Sequence, residues 1–260
     1  MGKSRERTSS PASRADDSAY SRLAAQPLHV LCFLLPLIAF YEIGSALYLT
    51  KSGVVQTIGA RSIVSRLFET FGVASLYLPG AMLAAVLVFW HLLLRHPWKV
   101  RPGVLIAMLL ESVVWTMPIL VLGLLLAGAA RAAWTDDPGP VQTLTLSKPA
   151  RFTLAVGAGI YEELLFRLIM ITVIHFLLVD LGKMSNRWGC ALAVIVSGVA
   201  FALYHNYSGP NGALDTRLFA FYAVAGCYFG LLFLVRGFGI VVATHAIYDA
   251  IALVVFPHHA

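Results

Sequence analysis

Long apolar runs separated by short polar stretches set the pattern of this chain. A helix needs about 20 mostly apolar residues to cross the hydrocarbon of a bilayer. Seven runs reach or approach that length, at 28–50, 73–94, 103–130, 152–179, 188–207, 217–235 and 238–256. The pattern predicts an all-α fold, a polytopic transmembrane helical bundle of about seven spans. Residues 54–72 mix Val, Ile, Leu and Phe with Arg and Ser, as a short helix lying in the interface does. Residues 131–149, with Asp136-Asp137-Pro138-Gly139-Pro140, form the clearest break. No internal repeat and no second domain are visible. The chain divides into a polar, disordered tail (1–27), N-terminal membrane helices (28–150) and a later set (151–256).

Composition sharpens this reading. The 260 residues are 59% hydrophobic and 12% charged, against about 25% charged in an average soluble domain; mean hydropathy is +0.79. The partner this implies is the lipid bilayer. The net charge of +6 does not point to nucleic acid, because the basic residues are spread over the tail and the short loops. They read as orientation signals. With the N-terminus inside, the inner side holds eleven: Lys3, Arg5, Arg7, Arg14, Arg22, Arg95, Lys99, Arg101, Lys183, Arg187 and Arg236. The outer side holds seven: Lys51, Arg61, Arg66, Arg131, Lys148, Arg151 and Arg217. The bias favours a cytoplasmic N-terminus. Met1-Gly2 does not open a myristoylation motif, since Glu6 stands where Ser or Thr is required. The first apolar run is too long for a signal-peptide core and reads as a retained span. Cys32, Cys190 and Cys227 are odd in number and lie in apolar runs, so they read as small buried hydrophobes.

Against this background the charged residues inside the runs stand out, because an ionisable group at bilayer depth costs about 3 kcal/mol by insertion scales. Three motifs collect most of them. In Glu162-Glu163-x-x-x-Arg167 the two carboxylates are about 100° apart on a helix, and Glu163 stands one turn before Arg167 in the order that favours pairing. That leaves Glu162 facing another direction. Phe201-x-x-x-His205 ends the fifth run, and His245-x-x-x-Asp249 lies in the seventh. Each spacing of four stacks two side chains on one stripe.

The ordered trio EExxxR, FxxxH and HxxxN/D on successive membrane helices resembles the CPBP family, the CAAX-prenyl-endopeptidase and bacteriocin-processing (Abi-type) intramembrane proteases. The resemblance covers roughly residues 150–255; the first three runs match only as generic apolar helices. It implies a glutamate-dependent membrane peptidase whose partner is a membrane-associated protein or peptide substrate. By that analogy Glu162, helped by His205, activates water, and His245 and Asp249 stabilise the oxyanion. Glu163 and Arg167 complete the site, mainly as a buried pair. An ionised Asp249 cannot donate a hydrogen bond as the Asn of some relatives does, so it is either protonated or an orienter of His245. Two histidines and a glutamate also fit a zinc site, but HExxH is absent and the resemblance favours chemistry without a cofactor. A rival reading makes the same residues a proton or ion pathway in a transporter or scaffold; transporters commonly show inverted repeats, and none is found. The expected location is a bacterial inner membrane.

Other polar residues stay open at this level. Tyr161, Tyr204 and Tyr248 neighbour motif residues and read equally as polar lining or packing. Glu42 and Glu111 sit inside spans with no assigned partner, and His91 and His175 read as structural. Gly157 and Gly159 are expected to let helices approach closely. The run limits put Glu162 near mid-membrane, His205 near the outer end and His245 nearer the inner end, whereas a single site needs one depth.

Overall fold

The computed structural model describes residues 19–51, 54–55, 58–70, 78–125, 146–205 and 214–255. Helix α1 (Pro27–Gly44) starts on a proline whose missing N–H is no loss at a first turn, and it widens into π-type turns over Ser45–Leu49. A minimal hairpin follows, with Thr50–Lys51 (β1) antiparallel to Val54–Val55 (β2). Then come α2 (Gly59–Thr70), α3 (Leu78–Leu94) and α4 (Pro102–Leu125). Helix α5 begins at Lys148 and runs on through wide turns to Leu181. The last three are α6 (Asn186–Tyr204), α7 (Thr216–Arg236) and α8 (Phe238–Ala250), the last continuing to Val255.

Within the described residues, every apolar run predicted from the sequence falls on one of these helices, and 54–72 contains α2. The count needs refinement. Among the described residues, five helices are long and apolar enough to cross a membrane: Pro27–Leu49, Pro102–Leu125, Lys148–Leu181, Asn186–Tyr204 and Thr216–Arg236. Gly80–Leu94 and Phe238–Val254 are shorter apolar helices. The tail also needs a correction. Residues 1–18 lie outside the described residues, but 19–24 are helical. They are held there by a polar cluster. Arg236 makes a two-pronged ion pair with Glu111 and donates to Ser21 Oγ at 2.8 Å, while the Tyr20 hydroxyl donates to Glu111 at 2.6 Å. Trp115 Nε1 supplies a further donor to Glu111 at 2.9 Å. The expected break at 131–149 lies outside the described residues except for its end, where Ser147 caps α5 by accepting from the Ala150 amide.

Helix α5 is the centre of the bundle, with α8, α1 and the α6–α7 pair around it. Its register against α8 is set by Gly159: a Cβ there would lie 2.8 Å from Val242 O and from Ala246 N. The backbones touch because no side chain intervenes. On the other face Gly157 admits the ring of Tyr41 from α1. Glu42 of α1 accepts from the Tyr161 hydroxyl at 2.8 Å and pairs with Arg61 of α2 at 3.6 Å. The Ala60 amide at the start of α2 donates to Tyr204 Oη at 2.7 Å. The one-residue link from α7 to α8 is Gly237, whose φ of 86° suits glycine and strains other residues.

Candidate active site

The sequence from Glu162 to Arg167 lies where α5 changes character. Regular turns end at Glu162 and π-type turns begin at Glu163, a feature often found at functional sites. Wider turns leave backbone carbonyls in need of donors; the Phe166 carbonyl receives the Ser197 hydroxyl from α6 at 2.8 Å.

The three motifs converge. Glu163 Oε1 forms an ion pair with Arg167 at 3.1 Å and accepts a hydrogen bond from His245 Nδ1 at 2.7 Å. His245 Nε2 lies 3.4 Å from Asp249 Oδ2 and 3.9 Å from Glu162 Oε2. Glu162 Oε2 in turn lies 3.7 Å from His205 Nε2. Thus Glu162 and Glu163 point different ways, as helical geometry requires, and still meet one imidazole from its two sides. Their shared contact with His245 is the feature that spacing within single helices does not show. The His245 ring also stacks on Phe229, with centroids 4.7 Å apart.

His205 closes α6 and already has extended backbone. Its Nδ1 lies 2.8 Å from the Phe201 carbonyl. A carbonyl only accepts, so Nδ1 carries the proton and Nε2 of the neutral ring presents a lone pair towards Glu162. The ring lies on Tyr222, with centroids 4.1 Å apart. Tyr222 and Phe229 stand seven residues apart on one face of α7, a spacing visible in the sequence but without a named partner there.

Arg167 is wholly buried. Besides Glu163 it reaches the Gly226 carbonyl at 3.2 Å and lies over the rings of Phe201 and Phe229 at 4.4 and 5.4 Å. These rings exclude water from the pair and offer their negative faces to the guanidinium.

A cavity of about 70 Å³, room for a few waters, opens beside this cluster. Glu162, His205, His245 and Asp249 line it, while Glu163 and Arg167 stand behind. Its apolar wall includes Leu154, Ala158, Tyr248 and, from just before α2, Ile58. Of the neighbouring tyrosines, Tyr248 lines the cavity, whereas Tyr161 and Tyr204 bond to Glu42 and to Ala60. Glu42 and Glu111 each have the partners described above. His91 packs against Trp98 and His175 contacts Asn186, away from the cavity. The three cysteines are unpaired.

The apparent conflict of depth also resolves. Helix α5 with its extension has 34 residues, while the apolar stretch of α8 starts immediately after Gly237 and is short. Glu162 therefore meets the C-terminal end of α6 and the middle of α8 at one level.

Among families of known proteins, the type II CAAX prenyl endopeptidase Rce1-like model matches residues 146–251. No curated protein and no solved structure matches the chain at a significant level. The matched segment begins at the cap of α5 and runs to the end of α8, so it spans every motif residue of the cluster. The segment that carries the motif residues of this cavity is similar to the type II CAAX prenyl endopeptidase Rce1-like family.

Proposed function

We propose that this protein is an intramembrane endopeptidase that hydrolyses a peptide bond in a membrane-associated protein or peptide, using water activated between Glu162 and His205. The observation that carries this reading is the 3.7 Å separation of Glu162 Oε2 and His205 Nε2 at the edge of a cavity that His245 and Asp249 also line and apolar side chains complete. Both groups accept protons, and a water held between them loses one as it attacks the carbonyl carbon. The resulting oxyanion needs donors in a dry site, where one is worth several kcal/mol. His245 provides such a donor as the imidazolium, with Nδ1–H on Glu163 and Nε2–H turned to the cavity. Glu163 and Arg167 hold that ring in place. The proton taken from water then passes to the leaving amine.

Glutamate and histidine do this work without a metal in our reading. We place the protein in a bacterial inner membrane, and the Lys and Arg distribution supports an N-terminus in the cytoplasm. The test is cleavage of an S-farnesylated CAAX peptide by purified protein. Glu162→Gln keeps the size of the side chain but takes no proton; it is expected to abolish cleavage without lowering the melting temperature, and exhaustive chelation to leave cleavage intact. Full activity of Glu162→Gln overturns the assignment, and chelator inactivation reversed by zinc replaces it with a metallopeptidase.

A further inference from the structure

The cavity at Glu162 offers about 70 Å³, whereas roughly 150 Å³ is what a single benzene ring occupies in a protein interior. A peptide carbonyl with a residue on either side enters only if a wall gives way. Four helices supply most of that wall, and they are joined too closely to part. Gly159 brings α5 against the backbone of α8, and a Cβ on Gly226 of α7 would lie 2.8 Å from the backbone of Gly198 in α6. Ser197 ties α6 to the Phe166 carbonyl of α5 at 2.8 Å, and Gly237 alone links α7 to α8. Where backbone packs on backbone, no side chain is left to swing aside.

Ile58 is the exception. Among the described residues that line the cavity, it alone comes from outside α5, α6, α7 and α8 with its continuation, and it is 2% exposed. It leads directly into α2, whose apolar anchor is small: Ala60 and Val64 are buried, whereas Ile63 is exposed. What holds this segment down is polar. The Ala60 amide donates to Tyr204 Oη at 2.7 Å. Arg61 pairs with Glu42 at 3.6 Å, and Glu42 accepts from Tyr161 at 2.8 Å. Each tyrosine directly precedes a cavity residue, Tyr161 before Glu162 and Tyr204 before His205. The two groups that face the cavity thus share their backbone with the two that hold its one separate wall. A hydrogen bond between uncharged groups is modest in net worth, because water replaces either partner when it opens. Such ties come undone far more readily than the helix pairs beneath them.

We propose that Ile58 with α2 is a gate over the cavity, latched by Tyr204 and Glu42, which lifts to admit the substrate chain. What passes through it rests on the peptidase reading above, and the test separates the two. The full chain is purified in neutral detergent with Cys32, Cys190 and Cys227 replaced by alanine, and Ile58→Cys is alkylated with N-ethylmaleimide. Leu214→Cys, at an exposed position, and Met108→Cys, at a fully buried one, are the open and closed references. The Ile58→Cys protein is expected to react at a rate between the two. Adding Tyr204→Phe removes the acceptor of the Ala60 amide and is expected to raise that rate about five- to tenfold, the scale of one such hydrogen bond, with the Met108→Cys rate unchanged. A rate equal to either reference overturns the proposal, as does a rate that Tyr204→Phe does not alter. Equal acceleration of Met108→Cys also overturns it, since the whole bundle has then loosened. A second variant closes the gate covalently. The Cβ position at Gly59 lies 2.7 Å from Tyr204 Oη, so Gly59→Cys with Tyr204→Cys is bridged by a short bis-methanethiosulfonate. Cleavage of the S-farnesylated CAAX peptide is expected to be lost on bridging, relative to the same protein unbridged, and regained on reduction. Undiminished cleavage by bridged protein removes the gate and keeps the peptidase. Latch-dependent alkylation in a protein that never cleaves keeps the gate and removes the peptidase.

Discussion

At the scale of single residues, the site divides into groups that meet the cavity and groups that hold them. Arg167 belongs to the second kind. Truncating one member of a fully buried pair costs about 3–5 kcal/mol because the other charge is left stranded. Arg167→Ala is therefore expected to lower the melting temperature and yield of purified protein as well as activity; wild-type melting would show that the pair is not structural. Asp249 belongs to the first kind, 3.4 Å from His245 Nε2. Asparagine there offers an N–H donor with no protonation requirement. Asp249→Asn is expected to retain substantial cleavage, whereas Asp249→Ala loses about 100-fold, the scale of deleting one oxyanion donor. If Asn is as inactive as Ala, the negative charge itself is needed and Asp249 orients His245. The seven motif residues were legible in the sequence because three pairs, Glu163/Arg167, Phe201/His205 and His245/Asp249, are each spaced by one helical turn and Glu162 adjoins the first. The hydrogen bond from His245 to Glu163 was not, since it depends on the register between two helices.

At the scale of elements, that register rests on Gly159. A methyl group there meets the backbone of α8 at 2.8 Å, and backbone cannot swing aside as a side chain does. Gly159→Ala is expected to push α5 and α8 apart and reduce cleavage tenfold or more, since displacements near 1 Å can cost about 100-fold. Gly103→Ala, with nothing within 4 Å of the new methyl, is the control expected to leave cleavage unchanged. Equal rates for both variants would show that the α5–α8 approach does not position the chemistry. The sequence marked Gly159 as a packing residue but not which helix it faced. Likewise 54–72 was legible as a helix on its amphipathic pattern, while the place of Ile58 in the cavity wall was not. A single apolar residue carries no signal of the cavity it will line. The depth conflict arose because a uniform 20-residue ruler treats every helix as centred, and α5 and α8 depart from it in opposite directions.

At the scale of the whole molecule, the cavity's position has a consequence for traffic across the membrane. His205 ends α6, Arg151 begins α5, Leu253 lies near the end of α8 and Ile58 follows α1, so all four mark the same end of the bundle. If the N-terminus is cytoplasmic and each apolar helix crosses once, that end is the extracytoplasmic one. The charge count leans further that way once Arg61 and Arg151 are set aside as buried. On the peptidase reading proposed above, the substrate then has to be presented after export, and cleavage takes place on the far side of the membrane. Leu214, 72% exposed just before α7, reports on this end. In a background with Cys32, Cys190 and Cys227 replaced by alanine, Leu214→Cys is expected to react with a membrane-impermeant maleimide on intact cells. Labelling only after lysis would turn the bundle over, open the cavity to the cytoplasm and make newly synthesised proteins its clientele.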